Sequence, residues 1–353
     1  MPEVRVRVVV VPEYKVPSMS EVLATPSNGI RVASLFSGGG GSSCGYRMAG
    51  CDVVFASEFI DEASNTYRQN FPSTYVDSRD IRDVSPESVM EIVGLTKGQL
   101  DILDGSPPCS SFSMAGNREK GWGEVKSYSD KQQRTDDLFF EYIRMVKGIQ
   151  PRVFVAENVS GLVKGKARGY YKSIYASLVE CGYKVRAKVL DASRLGVPQR
   201  RQRLIIIGIR NDIEEFDAYP KPLPYVYTVR DAIGSIKSKP ETITCMSKYC
   251  TGREWQKLKQ GEQSSKYFSL VRAHLDEPCP TITASTCRQV ASAGVAHPTE
   301  CRKFSLLELK RLCSFPDDYQ LTGNFGQKGE RLGRAVPPVM MMHIATAVSG
   351  GLT

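Results

Sequence analysis

Between Ile30 and Arg210 the chain alternates between short apolar runs and longer amphipathic stretches. IRVASLF reads as a buried strand, and CDVVFASE, LDILDGS, PRVFVAENV, KVRAKVLDA and QRLIIIGI as further strands. Ser43–Met48, DEASNTYRQNF, DDLFFEYIRMVKGI and YYKSIYASLVECGY read as the intervening helices. In the third of these, Leu138, Phe139, Tyr142, Ile143 and Val146 share one face. This alternation predicts an α/β fold with a mostly parallel sheet and helices on both faces. Such sheets bind ligands at the carboxyl ends of their strands.

Composition narrows the class further. Hydrophobic residues make up 41% and charged residues 24% of 353, which excludes disordered, collagenous and coiled-coil chains. No apolar run approaches the ~18 residues of a membrane span, and the N-terminus does not read as a signal peptide. A cytoplasmic monomer is expected. Ten cysteines without a CxxC pair, and three histidines without ligand spacing, predict reduced, mostly buried thiols and no metal. Lys and Arg number 47 against 38 Asp and Glu, a net charge of +9 that points to a polyanionic partner.

Residues 1–28 form an extension in which Val6–Val11 is an edge-strand candidate, broken by Pro12, Pro17 and Pro26. Residues 29–210 carry the α/β pattern. Periodicity fades over 211–300, read as a smaller inserted domain with strand-like pieces ETITC and TITAS. Lys237 to Arg272 holds eight Lys or Arg against three Glu, interleaved with Tyr249, Trp255 and Tyr267; this mixture suits phosphate contact and groove reading. Residues 301–353 return to regular structure through SLLELKRLCSF and VPPVMMMHIATAVSG.

Four elements carry chemistry. SLFSGGGGSSCG follows a strand and precedes a helix, so backbone can approach a ligand closely; it has neither P-loop nor G-x-G-x-x-G spacing. Glu58 ends the next strand, where it can accept ribose hydroxyls, and Asp80, before Ile81, can receive an adenine amino group. Together they point to an adenosine ligand without pyrophosphate. The alternative is a tight turn with surface carboxylates. In GSPPCSSFSMAG, Cys109 stands at a strand end behind two stiffening prolines, a nucleophile's setting. Glu157 ends the strand of AENV as a proton donor or hydrogen-bond clamp. VPQRRQRLIIIG places Gln199, Arg200, Arg201 and Arg203 ahead of an apolar strand, suited to phosphate or base.

In this order the elements resemble those of the bacterial and phage DNA cytosine-5 methyltransferases, from about residue 30 to the C-terminus apart from the middle of 211–300. FSGGGGSSCG is similar to the family's cofactor loop, GSPPC to its nucleophile motif, ENV to its acid motif and QRRQR to its Gln-x-Arg-x-Arg motif. FSLLELKRLCSFPDDY resembles its late helix, and GRAVPP its closing Gly-Asn-Ala-Val-Pro-Pro. The resemblance implies a Rossmann-like S-adenosylmethionine-dependent methyltransferase fold with a small target-recognition domain. It also implies base flipping from duplex DNA. Cys109 is then expected to add to cytosine C6, Glu157 to serve N3, and Gln199, Arg201 and Arg203 to complete the catalytic set, with Arg201 the best match for the base-handling arginine. The cofactor site is expected at Phe36, Ser37, Gly38, Gly39, Gly41, Glu58, Phe59, Asp80, Ile81, Pro107, Leu138, Arg334, Ala335 and Val336. DNA contacts are expected from Ser111, Ser113 and Arg118 in a closing loop, and from Thr281 and Thr283 in EPCPTITAS.

The chain departs from the family pattern at Arg334, where asparagine is usual. An arginine beside a sulfonium is a like-charge contact needing compensation. A protein carboxylate or DNA phosphate would supply it. So would carboxy-S-adenosylmethionine, which would make the product 5-carboxymethylcytosine. An RNA cytosine methyltransferase and a non-catalytic DNA-binding protein of the same fold are the rival readings.

Overall fold

The computed structural model describes residues 10–108, 126–128, 131–133, 137–165, 167–237, 245–287 and 292–353. In chain order the elements begin α1 (Met19–Ala24), β1 (Arg31–Leu35), α2 (Gly41–Met48), β2 (Asp52–Ser57), α3 (Asp61–Asn70), β3 (Tyr75–Asp77), α4 (Pro86–Ile92) and β4 (Ile102–Gly105). There follow α5 (Leu138–Ile149), β5 (Val153–Val159), α6 (Ala167–Glu180), β6 (Tyr183–Asp191) and β7 (Gln202–Arg210). The remaining helices are α7 (Val229–Ile233), α8 (Cys250–Trp255), α9 (Leu306–Leu312), α10 (Phe325–Arg334) and α11 (Pro338–Gly350).

The seven strands form one sheet in the order β3-β2-β1-β4-β5-β7-β6. β1 to β5 run parallel, while β7 runs antiparallel to both β5 and β6. The order reverses at β1, and the crevice at its carboxyl end is where such a sheet holds a ligand. Alternate residues of β5 enter different cores. Phe154 and Ala156 pack with Leu138, Tyr142 and Val146 of α5 on one face. Val153 and Val155 pack with Tyr46 of α2 and Met340, Met341 and Ile344 of α11 on the other. Both faces of β5 are therefore dry, as its near-continuous apolar run predicts, whereas the edge strand β6 keeps exposed residues along its length.

The helix α11 covers this second face by lying against α2. Their approach is so close that a Cβ on Gly45 would stand 2.4 Å from the Pro338 carbonyl oxygen. Gly45→Ala is expected to cost about 1–3 kcal/mol through this overlap. Thermal unfolding would register it as a lower Tm; an unchanged Tm would mean that α11 is not seated on α2.

Several elements escape sequence patterning. β3 has three residues and Tyr75 is half exposed. α10 contains Gly329 and Gly333, poor helix formers, although Asn324 and Gln327 form a capping box that marks its start. TITAS is not a strand: Thr281–Thr283 are irregular and Ala284–Cys287 form a 3-10 turn. Of Val6–Val11 only Val10 and Val11 fall among the described residues, and they are exposed coil. ETITC lies outside the described residues except Cys245. Residues 245–296 hold a core of their own, formed by Met246, Trp255, Leu258, Leu270 and Ala296. Trp255 is thus a core residue, with the Arg272 guanidinium 4.0 Å over its ring and its Nε1 donating to the His297 carbonyl.

Candidate active site

A cavity of about 580 Å³ opens at the carboxyl ends of β1, β2, β4 and β5. The loop after β1 forms one wall, beginning at Phe36, which adopts a left-handed φ of 54°. A bulky side chain held there stores strain, a feature common at ligand sites. Glu58 anchors this loop. One carboxylate oxygen accepts from the Gly38 N–H at 2.7 Å, the other from the Ile60 N–H at 2.8 Å. Burial raises its pKa, opposed by those bonds and by Arg331 and Arg334.

Asp80 lines the next stretch of wall and caps the turn Ile81–Asp83. Arg82 holds it at 2.9 Å and reaches Asp137 at 2.7 Å. Phe36, Ser37, Gly38, Gly39, Gly41, Glu58, Phe59, Asp80, Ile81, Pro107, Leu138, Arg334, Ala335 and Val336 all line this one cavity. The cavity therefore brings together every residue expected at the cofactor site. It can hold a nucleoside with an adjoining chain: carboxyl groups for hydroxyls and an amine, apolar side chains for a ring.

Glu157 and Arg203 share the cavity's other end. β5 pairs with β7 so that Glu157 stands opposite Ile205, two residues from Arg203 on the same side of the sheet. Arg203 Nε meets Glu157 Oε1 at 2.7 Å, with both side chains largely buried. The neighbouring Asn158, buried on β5, donates from Nδ2 to the Pro107 carbonyl at 3.1 Å. That bond ties the end of β5 to the Pro107-Pro108 approach to Cys109. The only sequence hint to Asn158 was its place beside Glu157 in ENV.

Arg201 does something different from what was expected. It is among the largest fully buried side chains of the described residues. Its Nη1 donates to the Ile282 carbonyl at 2.9 Å, and its Nη2 to Gly333 at 3.0 Å and Ala335 at 2.9 Å. Burial and the neighbouring Arg203 lower its pKa to about 9, which leaves it charged at neutral pH. It joins the start of β7 to the TITAS segment and to the end of α10, and Arg203 rather than Arg201 partners Glu157. Gln199 is likewise internal, donating to the Leu312 carbonyl and accepting from the Ile282 N–H. Gly333 admits this junction: a Cβ there would lie 2.5 Å from the Thr283 carbonyl carbon.

Arg334 lines the cavity and pairs through Nε with Glu330 Oε1 at 2.8 Å, one helical turn away. Thr283 also lines the cavity, whereas Thr281 donates to the Arg200 carbonyl at 2.6 Å. Cys109, Ser111, Ser113 and Arg118 lie outside the described residues. Among the described residues no cluster of three or more His, Cys, Asp or Glu could hold a metal. No described helix is long and apolar enough to cross a membrane.

A sheet of this order with a nucleoside-sized cavity at its switch point defines a Rossmann-like, S-adenosylmethionine-dependent methyltransferase fold. The family model for C-5 cytosine-specific DNA methylases matches residues 30–350. The chain belongs to that family. It is 32% identical to the Type II methyltransferase M.PspPI of Psychrobacter, over 93% of this chain and 81% of that protein. It is also 32% identical to M1.HphI of Haemophilus parahaemolyticus, over 89% and 85%. Among solved structures, a protein described as a DNA modification methyltransferase encoded within an E. coli prophage superposes with a TM-score of 0.73 at 22% identity, covering 92% of this chain and 99% of that one. Spodoptera frugiperda DNMT2 gives 0.67 at 19%, covering 91% and 99%. These two structural likenesses speak for the fold alone.

Proposed function

We propose that this chain methylates C5 of a flipped-out cytosine in duplex DNA through a covalent Cys109–C6 adduct. The observation that carries this reading is the Glu157–Arg203 pair, set in the cavity wall that Asn158 ties to the approach to Cys109. S-adenosylmethionine supplies an electrophilic methyl group when bound. The Cys109 thiolate adds to C6, and Glu157 gives N3 a proton or a hydrogen bond, turning C5 into an enamine nucleophile. Arg203 holds Glu157 in place through Nε, its own guanidinium steadied by Nη1 donating to the Gln202 carbonyl, and Nη2 serves the base. Once C5 carries the methyl group, its proton leaves and the thiolate is expelled, restoring the aromatic ring.

The recognition segment is 211–300, with a cytoplasmic, monomeric enzyme acting on double-stranded DNA. Its likeness to Type II methyltransferases supports a role in restriction–modification. Tyr249 and Phe268 are exposed beside Lys248 and Lys266, as a DNA-facing surface requires. Bisulfite sequencing of DNA from cells expressing the protein tests the reading and reads out the target site. Methylation of tRNA but not of a DNA duplex would overturn it in favour of the RNA alternative.

Arg334 in the cavity wall supports a second reading, carboxymethyl transfer from carboxy-S-adenosylmethionine. Glu330 already gives its guanidinium a protein carboxylate, which favours the methyl donor. With both cofactors in competition, mass spectrometry of the product nucleosides is expected to show mainly 5-methylcytosine. Predominant 5-carboxymethylcytosine, lost in Arg334→Asn, would reverse the choice.

A further inference from the structure

Asp104, at the end of β4, is buried in the wall of the cavity and has had no part in the chemistry so far. It stands in register with Ser34 of β1. Its Oδ2 accepts from Ser34 Oγ at 2.9 Å and from Ser42 Oγ at 2.7 Å, and its Oδ1 from Tyr46 OH at 3.4 Å. These are neutral donors. The titratable groups that bear on it are Tyr46 of α2, Tyr67 of α3, Tyr142 of α5 and Glu157 of β5, none of them a cation.

Each of the cavity's five arginines bears on another group: Arg79 on Asp77, Arg203 on Glu157, Arg334 on Glu330, Arg331 on Glu58, and Arg201 on backbone carbonyls. No ion pair reaches Asp104 among the described residues. A buried carboxylate without a counter-ion is costly, and a bound cation is the natural remedy. This lines the wall of a cavity whose proposed ligand carries a sulfonium.

We propose that Asp104 is the counter-charge that favours the sulfonium cofactor over its uncharged thioether product. The proposal rests on the cofactor reading above. Burial, first, and then the nearby Glu157 raise the Asp104 pKa to about 7, against the hydroxyl bonds that lower it. The carboxyl group is therefore half protonated near neutrality in the empty chain, and a bound sulfonium expels the proton. S-adenosylhomocysteine has the same zwitterionic amino acid and adenosine but an uncharged sulfur in place of the sulfonium, so it leaves the proton in place. The sign in the empty chain follows. A folded pKa above the unfolded value of about 3.9 contributes stability that is complete below about pH 4 and lost as pH rises through about 7.

The test is calorimetric titration of the full chain with S-adenosylmethionine and S-adenosylhomocysteine from pH 5.5 to 8.5, in buffers of differing ionisation enthalpy. The preference for S-adenosylmethionine is expected to rise about tenfold across this range. Near pH 7 that ligand should release about half a proton that S-adenosylhomocysteine does not. Asp104→Asn should bind S-adenosylhomocysteine as before, show a flat preference, release no extra proton and gain thermal stability at pH 8. Equal proton release by both ligands in the native protein, or an unchanged preference in Asp104→Asn, overturns the proposal. If the variant fails to fold, the native proton release decides alone. Failure of the native protein to bind either ligand sinks the cofactor reading, and this proposal with it.

Discussion

Cys109→Ser is expected to lower methyl transfer by roughly 10³-fold or more while leaving DNA affinity near its native value. A serine hydroxyl is far less acidic than a thiol and a poorer nucleophile, so the C6 adduct cannot form at a useful rate. The residues leading to it are tied to two neighbouring strands. The Ser106 N–H donates to the Leu35 carbonyl, and Asn158 holds Pro107 from the neighbouring strand. Duplex DNA bearing 5-fluorocytosine should trap the native chain covalently and fail to trap the variant. Substantial turnover by Cys109→Ser would remove it from the mechanism.

The second large effect separates two arginines two residues apart. Glu157→Gln is expected to slow transfer by ~10²-fold or more, because it removes the proton donor. Arg203→Ala should cause a comparable fall in kcat, and some loss of Tm, since it leaves Glu157 buried without its 2.7 Å partner. Losses in the double variant should fall well short of the product of the single losses, as for two groups acting as one unit. Arg201→Ala should act chiefly through a lower Tm. It strands the carbonyls of Ile282, Gly333 and Ala335 in the interior, at roughly 3 kcal/mol or more. If Arg201→Ala keeps its Tm and Arg203→Ala its kcat, the roles are reversed.

The difference between those arginines could not be read from QRRQR. Both alternate residues point off the same side of a strand, and spacing alone made Arg201 the better match. What decides is depth. Arg201 sits where β7 emerges beneath the Ile282 and Gly333–Ala335 segments, so its donors meet carbonyls; Arg203, one step along, emerges beside the end of β5 and meets Glu157. Similarly, Arg334 announced itself as a departure from pattern, but the Glu330 that pairs with it lies one turn back on a helix that its own glycines hid.

The sequence by itself determined the alternating α/β layers, because strands dry on both faces leave near-continuous apolar runs that survive any detail of packing. It also marked strand ends that line the cavity, since glycine loops, Pro-Pro and terminal carboxyls are local signals. The tertiary structure alone decided which of these groups meet. Asn158 reaches Pro107 across 51 residues, Arg201 reaches Gly333 across 132, and Ser42 reaches Asp104 across 62. Such contacts depend on strand order and register, which bring together residues whose own neighbourhoods carry no trace of the partner.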